Sequence, residues 1–101
     1  MAYKPLNKAE IEEGLRAEVL ELPQELHRYY ETVAVPAYEA GYADSREGPL
    51  VLVIAKSGNR VVFYDGADDD FGIGTMTDGA SLKDCSLTGE LRLALLALRS
   101  G

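Results

Sequence analysis

The sequence predicts an α+β domain: two N-terminal helices, a three- to five-stranded, mainly antiparallel sheet built around a central hairpin, and a C-terminal helix packed on that sheet. Three stretches carry this expectation. Residues 50–55 are six consecutive apolar residues, and residues 61–64 are a second apolar run beyond a polar break at 56–60. Short runs rich in β-branched residues (Val51, Val53, Ile54) suit strands, and Gly58-Asn59 tolerates a tight turn. Near the start, Ile11, Leu15, Val19 and Leu22 recur at the spacing of one helix face. At the end, LTGELRLALLALRS places Leu87, Leu91, Ala94, Leu95 and Leu98 on one stripe.

Taken in order, Asn7 can cap the first helix, with Glu10 three residues on as in a capping box. That helix is expected over 8–21, with Glu12, Glu13, Arg16 and Glu21 mostly on the wet side. Gly14 weakens it by about 1 kcal/mol relative to alanine. Pro23 suits the first turn of a second helix, 23–31, whose apolar side is Leu26, Tyr29 and Tyr30. Residues 32–43 read as an extended, half-buried segment through Val33, Val35, Tyr38 and Tyr42. Pro36 restricts it to an edge strand or a bend, and Gly41 marks a bulge or turn. Residues 44–48 form a polar loop.

In the hairpin, Leu50, Leu52 and Ile54 go to one side and Val51, Val53 and Ala55 to the other. Both sets are apolar, so both faces must be covered. The flanking helices account for one; a second subunit is a candidate for the other. Beyond the hairpin, 66–70 is an acidic loop, and 71–76 can form a third strand with Phe71, Ile73 and Thr75 on one face. Asp78-Gly79 signals a tight turn, and 80–85 is a short fourth strand or a loop. Ser86 is the expected cap of the last helix. Leu93, Leu96 and Ala97 widen its apolar stripe nearly all the way round, which makes them candidates for a dimer or partner interface.

A chain of 101 residues is one domain, long enough to fold without staples. The single cysteine, Cys85, has no partner for an internal disulfide, and no Cys/His spacing points to zinc. The start has no apolar signal core and no run approaches a membrane span, so a cytoplasmic protein is expected. A net charge of −7 opposes binding to nucleic acid or to anionic membranes. It fits solubility, or a protein that covers a basic surface on something else. Residues 1–48 carry ten acids against five bases, and the rest seven against five, so the excess lies in the helical N-terminal part.

Catalytic chemistry finds little to work with. Asp65, Asp68, Asp69 and Asp70 are the one dense constellation, but neither Asp65 nor Asp68 starts a run with the ligand spacing of an EF-hand. Four like charges on a tight loop repel, so a cationic partner would relieve strain there; Asp65, Asp68, Asp69, Asp70 and Phe71 are the partner-binding candidates. Asp70-Phe71-Gly72 matches a kinase tripeptide without the rest of that machinery. Gly72-Ile73-Gly74 lacks the third glycine of a dinucleotide loop. His27 is the sole histidine, and nothing local couples it to a serine or to Cys85. No catalytic residue, metal or cofactor is assigned. Tyr29, Tyr30, Tyr38, Tyr42 and Tyr64 suit either a core margin or an interface.

The order from residue 49 onward is Val53-Ile54-Ala55-Lys56, a turn, Val62-Phe63-Tyr64-Asp65, an acidic loop, Phe71-Gly72-Ile73-Gly74, Asp78-Gly79, and a closing helix with Glu90-Leu91 near its start. It resembles small bacterial proteins from mobile or accessory gene neighbourhoods, some of them immunity-like. A fainter likeness, through Leu22-Pro23-Gln24-Glu25-Leu26 and Tyr29-Tyr30 after an N-terminal helix, is to the SUKH immunity superfamily. Both resemblances imply a binding protein rather than a catalyst. The expected function is therefore protein binding, with a basic partner. The alternative is a small-ligand-binding or accessory domain acting as a homodimer, and an enzyme without a recognisable motif comes third.

Overall fold

The computed structural model describes residues 8–42, 51–66, 70–77 and 81–100. Asn7, the loop at 44–48, Leu50, Asp68, Asp69 and the Asp78-Gly79 turn lie outside them. The elements run α1 (Lys8–Leu20), α2 (Gln24–Val33), β1 (Ala34–Tyr42), β2 (Val51–Ser57), β3 (Arg60–Asp65), β4 (Asp70–Met76), β5 (Ser81–Gly89) and α3 (Leu91–Ser100). The α+β expectation holds: three helices accompany five strands, and α3 packs on the sheet. The sheet is an antiparallel meander, β1-β2-β3-β4-β5, that curls into a closed barrel when β1 meets β5 in parallel at Gly41↔Ser81 and Tyr42↔Leu82.

Closure answers why both faces of β2 and β3 are apolar. Val51, Val53, Val61 and Phe63 point into the barrel with Ala40 and Leu82. Ile54, Ala55 and Val62 point outward, under Leu26 and Val33 of α2 and Leu91, Ala94, Leu95 and Leu98 of α3. The chain thus covers the second face itself, and that face asks for no second subunit. The strict alternation expected for 50–55 needs one correction. Val53 pairs with Phe63 but Ala55 with Val62, so Ile54 is an extra residue. A bulge of this kind shifts the alternation, which is why Ile54 and Ala55 share the helix side. The β2–β3 turn has Gly58 at its first central position with φ +63°, where an L-residue would be strained.

The first helix ends on a tightened turn, with Glu21 N–H donating to Glu18 O and Leu22 N–H to Val19 O. Leu15 and Val19 pack half-buried on the helix-side core, while Glu12, Glu13 and Arg16 are exposed. Pro23 stands just before α2 rather than inside it, and its carbonyl accepts the N–H of His27. The second helix continues two residues beyond 31, because Val33 is buried in the core. In β1, the four steps from Ala34 to Tyr38 match two steps on β2, and Pro36 lies in that irregularity. A residue with no N–H to donate is tolerated there.

Two expectations at the C-terminal end are corrected. Residues 81–89 form one long strand, and Ser86 and Leu87 belong to it, opposite Ile73 and Gly72. The helix begins only at Leu91, after Gly89 takes φ +88°, and the Glu90 carbonyl accepts from the N–H groups of Leu93 and Ala94. At its other end, Arg60 Nη1 donates to Ala97 O at 3.4 Å, tying the helix to the β2–β3 hairpin, and Arg99 suits the negative end of the helix dipole.

Gly14 offers a clean test of helix propensity. A Cβ built there meets nothing within 4 Å. Gly14→Ala should therefore raise stability by about 0.5–1 kcal/mol, read as a higher midpoint in chemical denaturation.

Candidate functional site

The structure separates the acidic candidates. Strand parity sends Val61, Phe63 and Asp65 to the barrel interior, and Asp65 is only 4% exposed. The Tyr42 hydroxyl donates to Asp65 Oδ2 at 2.7 Å, and the Tyr42 ring stands edge-on to Phe63 with centroids 5.9 Å apart. Asp65 thus belongs to the interior packing, not to an open loop. Phe71 is likewise inside: it is 7% exposed in the helix-side core, its ring 5.2 Å from that of Tyr64. Asp70, half-buried, stands opposite Asp65 in the β3–β4 ladder. Asp68 and Asp69 fall outside the described residues.

Because the Tyr42 hydroxyl meets a buried carboxylate, Tyr42→Phe leaves that oxygen short of one donor. Hydrogen bonds to charged groups are worth about 1.5–3 kcal/mol. A loss of about 2 kcal/mol is expected in equilibrium unfolding, with the ring contact to Phe63 retained.

Of the interface candidates, Leu93 is 42% exposed on α3, whereas Leu96 and Ala97 are half-buried, Leu96 against the helix-side core. Tyr29, Tyr30 and Tyr64 sit at the margin of that core. Burial pushes the Tyr30 phenol above its ordinary value of 10.0. Tyr38 is more exposed, at 37%. His27 is half-buried on α2. Among the described residues, no group of three or more His, Cys, Asp or Glu could hold a metal ion, and no helix is long and apolar enough to cross a membrane.

One surface feature was not anticipated. A shallow groove of about 170 Å³ opens between the end of α1 and the start of α3, lined by Glu18, Glu21, Leu22, Glu90, Leu91 and Arg92. The second helix contributes nothing to its walls; the chain reversal at Leu22-Pro23 and the turn at Gly89-Glu90 bring the two ends together. Arg92 Nη2 lies 3.2 Å from Glu90 Oε2, an exposed pair of the kind that adds little stability. The groove joins the acidic helical layer: residues 12–31 carry six glutamates against two arginines. Of these, Glu12, Glu13, Glu21, Glu25 and Glu31 are exposed, as are Arg16 and Arg28. The visible signal in the sequence was Glu18 and Glu21 at a helix end with no base in its last turn.

Against protein-family models, curated proteins and solved structures, the chain finds no match.

Proposed function

We propose that this domain is a non-catalytic protein-binding module, immunity-like or accessory in role, that covers a basic surface on a partner protein. The observation that supports it is the helical layer. Its apolar side is spent on the barrel, and its wet side presents a surplus of glutamates. A surface of one sign steers an oppositely charged partner and fixes its orientation. Asp65 faces the barrel interior and Phe71 the helix-side core, so neither adds to that charged surface.

The test is affinity capture with the wild-type domain and a Glu12→Lys/Glu13→Lys/Glu25→Lys variant, at low and high salt. The proposal expects a basic protein held by the wild type, released by salt and lost to the variant. Identical captures by both proteins at both salts would refute it.

A second reading, self-association, is favoured by the exposed Leu93 beside Leu96 and Ala97. Light scattering separates the two: a particle of twice 11.0 kDa that reverts to 11.0 kDa on Leu93→Lys would support the dimer. The α1–α3 groove itself lends a small-ligand site no support, since it falls below the roughly 300 Å³ at which ligand clefts begin.

A further inference from the structure

We propose that α1 is a displaceable strap: it undocks and unwinds as a unit about Leu22-Pro23 while α2, α3 and the barrel stay folded. Opening is then a local event of the folded protein, distinct from its global unfolding. The inference does not depend on the binding role proposed above.

The hold on α1 is slight. Among its described side chains, Glu12 to Leu20, none is buried; Leu15 and Val19 meet the helix-side core half-buried, and Leu20 is 76% exposed. The sequence of α1 also disfavours its helix. Gly14, at its middle, is a poor helix former. Glu18 lies in the last turn and Glu21 directly follows the helix, with no basic residue in that turn, so the charges oppose the negative end of the dipole. Length does not compensate, since isolated helices shorter than about 12–15 residues are marginal in water and α1 has 13. Once released it unwinds, so docking and helix formation are one event.

The rest of the domain stands without it. The second helix packs on β2 and α3, and α3 packs on β3, β4 and β5. Leu26 and Val33 of α2 and Leu91 and Leu95 of α3 are each no more than 8% exposed, against half-burial for Leu15 and Val19. The barrel interior around Phe63 is a separate core again. A hinge is also present. The bonds of α1 end with Leu22 N–H donating to Val19 O, and Pro23 is extended (φ −56°, ψ 151°) with no N–H to offer. The ladder of α2 starts afresh where His27 N–H donates to Pro23 O, so the departure of α1 breaks no bond of α2. Opening uncovers the part of the helix-side core under Leu15 and Val19. It also divides the acidic surface: Glu12 and Glu13 leave with α1, whereas Glu25 and Glu31 stay on α2.

Hydrogen exchange of the isotope-labelled full chain, read amide by amide by NMR, tests the strap. Amides of residues 12–20 are expected to exchange at least about thirtyfold faster, relative to their intrinsic rates, than the ladder amides of β2 and β3. A smaller difference would overturn the proposal, because α1 would then open only together with the core. The companion variant is Leu15→Glu/Val19→Glu. Its α1 resonances should move to random-coil positions while those of α2, the strands and α3 stay dispersed near their wild-type places. Loss of the dispersed signals throughout the domain, or an α1 that stays helical, would equally overturn it.

Discussion

Replacing Gly72 with alanine should cost about 3 kcal/mol, at the upper end of what overpacking a core typically costs. The Cβ would lie 2.7 Å from Phe63 Cζ and 2.8 Å from the carbonyl oxygen of Ser86. The first obstacle is a ring at the centre of the barrel, itself fully buried. The second is backbone of the neighbouring strand, which cannot retreat without disturbing the β4–β5 ladder. Gly74 is the internal control. Its Cβ would meet Cys85 Sγ at 2.9 Å and Lys83 O only at 3.4 Å, so a side chain rather than backbone has to yield. Gly74→Ala should cost less, about 1 kcal/mol. Adding Phe63→Leu to Gly72→Ala should recover part of the loss but not all, since the Ser86 carbonyl stays in place. Urea denaturation of the two single variants and the double variant measures this. Equal losses at Gly72 and Gly74 would contradict the packing described.

Leu95→Ala should cost about 2–5 kcal/mol, the range for deleting a fully buried leucine side chain. Leu95 is 0% exposed and belongs to the set that joins α3 to α2 and to the outer face of the barrel. The cavity cannot collapse easily, because the helix is pinned by Arg60 at one end and by the turn at Gly89 at the other. Leu93→Ala, on the same helix but 42% exposed, is the comparison and should change stability by no more than about 0.5 kcal/mol. A similar loss at both positions would mean that α3 packs through a different face.

Much of the fold was legible. Helical spacing located α1 and α2, and continuous apolar runs located β2 and β3, because each pattern follows directly from what one element buries. The β5–α3 boundary was not. Leu87 and Leu91 are four apart, so the helical stripe of α3 reads backward without a break into a strand. Only the left-handed backbone at Gly89 stops it. Barrel closure was hidden for a different reason. It depends on a parallel contact between β1 and β5, which lie far apart in the chain and carry no shared local pattern. At the candidate site, Asp65 was grouped with its acidic neighbours by composition. The alternation Val61, Phe63, Asp65 already placed it inward, and strand parity was the better guide. Phe71 was misplaced in the same way, since its alternation with Gly72 assigns it to the side opposite Phe63. The groove depends on two chain reversals meeting in space, so its lining residues could not be grouped in advance.

Among the described residues, six pairs join β3 to β4 and two join β1 to β5. Within these residues the β1–β5 seam is the narrowest pairing of the barrel. During assembly, the β2–β3–β4 meander can form from near neighbours, whereas the seam must wait for the ends of the sheet to meet, at a larger cost in loop entropy. By the same argument, opening of the barrel is expected to begin at Gly41 and Tyr42, exposing Phe63 and its neighbours while the hairpins stay intact. Such a partly open state bares apolar surface and two strand edges at once, the combination from which strand-exchanged dimers and aggregates grow. The pairs Gly41↔Ser81 and Tyr42↔Leu82, reinforced by the Tyr42–Asp65 hydrogen bond, oppose that outcome.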